Sequence, residues 1–102
     1  MTHADPVGPE LRELVLHRDG GCVAAKFDRL HVCRNQWGMP HPPTLLAWMT
    51  LDHVQEGYGM MGKRAPSDAA HLVTLCWGAH VATGWATSHR PILREYLARA
   101  TG

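Results

Sequence analysis

The side chains in this sequence that can do chemistry are mostly histidines and cysteines. Eight His and three Cys in 102 residues invite metal binding or acid–base work, because imidazole both ligates metals and exchanges protons near neutral pH. Asp52 and His53 are adjacent, and His71 and His80 follow downstream. A lone histidine among these is more often a satisfied polar residue than a catalyst, so any functional reading needs them jointly. Cys22 precedes Cys33, which has His31 close by, and Cys76 comes much later. Three thiolates and one imidazole complete a closed tetrahedral Zn²⁺ site. The alternative is that the three cysteines are buried small hydrophobes. An odd cysteine count fits poorly with a closed set of disulfides.

The elements that must position these residues are short. Pro9 to Arg18 reads as a helix, with Pro9 in its first turn, Glu10 and Glu13 near its positive end, and Leu11, Leu14 and Val15 as an apolar stripe. Gly20-Gly21 ends it. From Cys22 to Pro43 no period is sustained, so something other than regular structure must order that stretch. Thr44 to Trp48 suits a helical turn, and Met49 to Val54 alternates as a short strand does. A glycine-punctuated loop, Gln55 to Ala70, leads to a second short strand at His71 to Leu75. Trp77 to Thr83 reads as a helix closed by Gly84. Pro91 to Arg99 reads as a last helix, with Ile92, Leu93, Tyr96 and Leu97 on one face.

Taken in order, Leu51-Asp52-His53-Val54, then His71-Leu72-Val73-Thr74-Leu75-Cys76, then His80, resemble the HNH endonuclease family, whose members carry a DH pair, an NLVTLC segment and a later His. Arg18-Asp19-Gly20-Gly21-Cys22 resembles the RDGG-C opening found upstream in that family. The resemblance implies an α+β fold, a single domain over 1–102, with a ββα-metal hairpin-helix core and flanking N- and C-terminal helices. It also implies roles: Asp52 and His80 as metal ligands, and His53 as the general base. Phosphodiester hydrolysis needs a base for water, a cation at the phosphate and groups that hold both. Open ligand positions in such a site suit Mg²⁺ or Mn²⁺ and also accept Ni²⁺ or Zn²⁺.

Two departures from the family pattern stand out. His71 occupies the place where the family has Asn, which holds the loop and orients the base; one ring nitrogen can make a comparable hydrogen bond. Many members also clamp a structural Zn²⁺ between two CxxC pairs, whereas here Cys22-Val23-Ala24-Ala25 and Cys76-Trp77-Gly78-Ala79 each lack the second cysteine. Cys22, His31, Cys33 and Cys76 are the remaining ligands for a Zn²⁺ that would order the irregular stretch.

Lys and Arg exceed Asp and Glu by ten to nine, so DNA contact must come from local clusters. Lys63 and Arg64 in the glycine-rich loop, and Arg90, Arg94 and Arg99 on the last helix, are the cations available for phosphates. Trp37, Trp48, Trp77 and Trp85 read as core and loop anchors rather than base-stacking platforms. No apolar run approaches the roughly 20 residues that span a bilayer, and the polar start lacks a secretory signal, so the expected setting is the cytoplasm. The expected function is a metal-dependent DNA endonuclease or nickase with DNA as partner. The family's small phage members further imply genome packaging beside terminase subunits. The rivals are a non-catalytic nucleic-acid-binding or assembly module on the same scaffold, and a small zinc-stabilised interaction domain.

Overall fold

A computed structural model describes residues 7–54 and 68–101. The architecture is α+β: a two-stranded antiparallel sheet with helices packed around it. Helix α1 runs Pro9–Asp19, with Pro at its start and Glu10 in its first turn. Gly20 ends it at φ 69, and the Gly20 N–H donates to the Leu16 carbonyl at 2.9 Å, a left-handed cap that costs glycine little. Its buried face is Val15, Leu16 and Asp19. Leu14, expected in the apolar stripe, is exposed instead.

The stretch read as irregular contains one short helix, α2 (Val23–Phe27). Five residues make barely more than one turn, too few for a period to register. A 3₁₀ turn, Leu46–Trp48, leads into strand β1 (Met49–His53), which pairs with β2 (Leu72–Cys76) from Met49 opposite Cys76 to His53 opposite Leu72. Residues 77–83, expected as an α-helix, form instead a π-helical turn at Gly78–Ala82, closed by a Thr83 N–H to Gly78 carbonyl bond of 2.9 Å. Helix α3 (Trp85–Ser88) and helix α4 (Arg90–Thr101) follow.

An isolated two-stranded hairpin is marginal in water, and here every residue of β2 is buried. Leu16 of α1, Val23 and Ala24 of α2, and Leu93 and Leu97 of α4 join Val73, Leu75 and Cys76 in one apolar cluster. On α4 the expected inward face holds at Leu93 and Leu97, while Ile92 is exposed.

One polar knot locks the layers. Asp19 is buried and pairs with Arg18 (Nε to Oδ1, 2.8 Å). It also accepts the Thr74 N–H from β2 at 2.9 Å and the Tyr96 hydroxyl from α4 at 2.6 Å. Arg18 in turn donates to the Leu72 carbonyl at 2.7 Å and to that of Ala69. Burial, and then the bond to Asp19, hold the Tyr96 phenol well above its ordinary pKa. Every oxygen of the buried carboxylate is satisfied, as a buried charge requires.

The second glycine of the pair serves the backbone. Gly21, at φ 147, lies so close to the Pro43 carbonyl that an added Cβ would sit 2.3 Å from its oxygen. The next residue, Cys22, donates its N–H to that same oxygen at 2.8 Å.

Candidate functional site

The cysteine cluster is assembled from three parts of the chain. Cys22 stands just before α2, His31 and Cys33 lie in the loop after it, and Cys76 ends β2. Their ligand atoms all lie within 4.8 Å of one another, and all three cysteines are free and buried. These four residues are close enough to bind a metal ion. Tetrahedral thiolates at ~2.3 Å from Zn²⁺ stand roughly 3.8 Å apart. His31 Nε2 lies 3.2 Å from Cys76 Sγ and 3.8 Å from Cys22 Sγ.

Backbone amides support the sulfurs. The Cys76 N–H donates to Cys22 Sγ at 3.3 Å, and the Ala79 N–H donates to Cys76 Sγ at 3.4 Å. Ala79 stands where a second cysteine of a CxxC pair would be, so the turn keeps its amide-to-sulfur bond without the second thiol. A side-chain hydrogen bond from the Cys22 thiol pulls the Cys76 thiol down to about 4. The same bond, with burial, pushes Cys22 up, and burial pushes Cys33 up to about 11. A cation bound among them would take the three sulfurs as thiolates and displace their protons.

The second constellation lies on the open side of the hairpin. His80, in the π-helical turn, approaches Asp52 of β1 with Nε2 to Oδ1 at 3.2 Å. Both side chains are largely but not wholly shielded from solvent. The sequence reading missed the residue that orients this pair. Thr50 donates its single hydroxyl proton to the Leu75 carbonyl at 2.8 Å and also lies 2.8 Å from His80 Nδ1. With that proton committed, the hydroxyl can only accept from the ring, so Nδ1 carries the hydrogen. Nε2 then points a lone pair at the Asp52 carboxylate. Two lone pairs at 3.2 Å repel unless a proton or a cation lies between them. Two ligands ~2.1 Å from one ion and at right angles stand about 3 Å apart, so the pair fits a small divalent cation. Alternation along β1 puts Thr50 and Asp52 on one face, the signal by which Thr50 could have been found.

His53, next along β1 and half-buried, belongs by the same alternation to the other set of side chains. His71 lies just before β2; its carbonyl accepts the Val54 N–H at 2.8 Å, and its Nδ1 pairs with Asp68 at 2.7 Å. That bond holds the Asp68 carboxyl below the usual carboxylate range. The register thus continues to Val54 opposite His71 at the loop end of the hairpin, which places His71 in the same set of side chains as Asp52 and His53 in the other.

The cations expected to meet DNA are dispersed. Arg90 and Arg94 are half-buried on α4, and Arg99 is paired with Glu95 at 2.7 Å. Lys63 and Arg64 lie outside the described residues. The tryptophans read as core and loop anchors divide: Trp85 is buried, Trp77 is half-buried, and Trp37 and Trp48 are 75% and 45% exposed. No helix is long and apolar enough to cross a membrane among the described residues. The chain matches no protein-family model, no curated protein and no solved structure.

Proposed function

We propose that this protein is a metal-dependent DNA endonuclease or nickase of the HNH type, with β1, β2 and the turn bearing His80 as its ββα-metal core. The observation that carries the reading is the Asp52 to His80 contact at 3.2 Å, with Thr50 2.8 Å from His80 Nδ1, which sets a carboxylate and an imidazole nitrogen at a spacing that a small divalent cation can bridge.

A divalent ion bound there, Mg²⁺ or Mn²⁺ by its oxygen-rich open positions, supplies the Lewis acid for the phosphate. The chain supplies the remainder. Asp52 and His80 fix where the phosphate sits, and Thr50 keeps His80 in the right tautomer. His53, one residue from Asp52 yet turned aside from it, takes the proton from the attacking water. His71, anchored by Asp68, holds the strand end that carries His53. The cluster of Cys22, His31, Cys33 and Cys76 holds a structural Zn²⁺, which ties the residue 22–43 stretch to the end of β2 beside the His80 turn. With two protein ligands at one site and four at the other, the first exchanges its ion and the second retains it.

The test is relaxation of supercoiled plasmid. Cleavage with Mg²⁺ or Mn²⁺, its loss on adding EDTA and its return with excess Mg²⁺ support the proposal. Equal cleavage with and without chelator removes the metal mechanism, and no cleavage with any divalent ion leaves the zinc-stabilised module as the better reading.

A further inference from the structure

Beside the Asp52 and His80 pair lies a groove of about 210 Å³ whose walls include Asn35, Gln36, Trp37, Trp48, Thr50 and Trp77. It is smaller than the roughly 300–1,000 Å³ of a drug-sized ligand site, with room for a single planar ring. Thr50 belongs to both places, since its hydroxyl orients His80 while its side of β1 forms the groove floor. A ring held in the groove therefore lies next to the site where the phosphate is cut.

The loop that carries the most exposed tryptophan, Trp37, is held by hydrogen bonds. Asn35 Oδ1 accepts the N–H groups of Trp37 at 2.9 Å and Met39 at 3.0 Å, and the Asn35 N–H donates to the Met39 carbonyl at 3.0 Å. Gly38, at φ 79, turns the chain, and Arg34 Nη1 holds the Gly38 carbonyl at 2.9 Å. The base of this loop is tied to the rest by the Gly78 N–H to Arg34 carbonyl bond and the His41 N–H to Cys33 carbonyl bond, each 3.0 Å. Trp48, which also lines the groove, packs edge-on against the His41 ring at 5.4 Å. Exposing large aromatic surface costs hydrophobic stabilisation, and Trp37 is 75% exposed.

We infer that the groove is a stacking subsite for one unpaired nucleobase of the DNA substrate. Indole faces stack on any base, and the exposed Gln36 side-chain amide in the groove wall matches base-edge donors and acceptors. A base can enter only where it is not paired, so the preferred substrates are single strands and frayed or distorted duplexes. The inference rests on the nuclease reading for its choice of ligand.

The test uses the intact, zinc-replete protein with Ca²⁺ in place of Mg²⁺, so that binding is read without cleavage. An oligothymidylate and an abasic oligonucleotide of equal length are titrated against intrinsic tryptophan fluorescence. The thymidine strand should quench emission and bind more tightly than the abasic one. Trp37→Ala should weaken it by roughly 5- to 150-fold, the range for loss of one stacked base. Trp37→Phe should retain most of the affinity, and abasic binding should be unchanged in both variants. Trp48→Leu serves as an independent second probe, with an unchanged melting transition required of each variant. Equal binding of the two strands, no binding of either, or undiminished affinity in both variants overturns the inference. If the variants lose base binding but the wild type relaxes no plasmid, the stacking subsite stands and the nuclease fails. If plasmid is relaxed and the variants bind normally, the reverse holds.

Discussion

Thr50 is the residue on which the chemistry of the site turns. One hydroxyl proton, given to the Leu75 carbonyl, forces the other contact to run from His80 Nδ1 to the oxygen. Partners of this kind typically change metal affinity or activity by roughly 10- to 100-fold when removed. Thr50→Val, nearly the same shape, should therefore lower Mn²⁺ affinity and cleavage by about that factor, while Thr50→Ser keeps both; equal loss from both variants would make the effect one of packing. His53→Ala should act differently. A general base does not hold the ground state, so turnover in plasmid relaxation should fall by roughly 10²-fold or more with DNA affinity nearly unchanged. Asp52, His53 and His80 were legible in the sequence only through their joint pattern with the residues around them. Thr50 was legible from strand alternation alone, but a threonine in a strand is so ordinary that nothing marked it out.

At the scale of elements, the Arg18 and Asp19 pair shows how a motif can be structural. The carboxylate collects α1, β2 and α4 at one buried point. Removing one partner of such a pair strands the other charge and costs about 3–5 kcal/mol, so Asp19→Ala should lower the unfolding free energy in urea by that order; a loss under about 1 kcal/mol would mean the knot is incidental. Strand β1 was readable from alternation and α4 from its apolar repeat, and α1 from Pro9, its acidic first turn and the glycine that ends it. Helix α2 was not, being five residues long. The π-helical turn at Gly78–Ala82 was not either, since one widened turn leaves too few apolar positions to separate it from an α-helix. That turn carries His80, so the local geometry of the site was the least legible part of it.

For the whole molecule, the proposed zinc at the cysteine cluster is the contribution that would hold the fold around the site. The cluster joins the segment before α2, the loop after α2 and the end of β2. Structural zinc can contribute on the order of 10 kcal/mol, comparable with the roughly 5–15 kcal/mol that keeps a domain folded. Purified protein should retain about one zinc per chain, and Cys33→Ser should lose the cooperative melting transition; a zinc-free preparation that melts cooperatively, with Cys33→Ser unchanged, would reduce the cysteines to packing residues. The ligand types were legible in the sequence, yet their convergence depends on a loop that no periodicity describes. The central claim is that Asp52 and His80 together hold the ion that cuts. It is tested most directly by titrating zinc-replete protein with Mn²⁺ and following free Mn²⁺ by electron paramagnetic resonance. The account predicts one exchangeable Mn²⁺ site in the wild type, lost in both Asp52→Asn and His80→Ala, with zinc content and melting unchanged. Mn²⁺ binding that survives both substitutions, or a wild type that binds none, would contradict it.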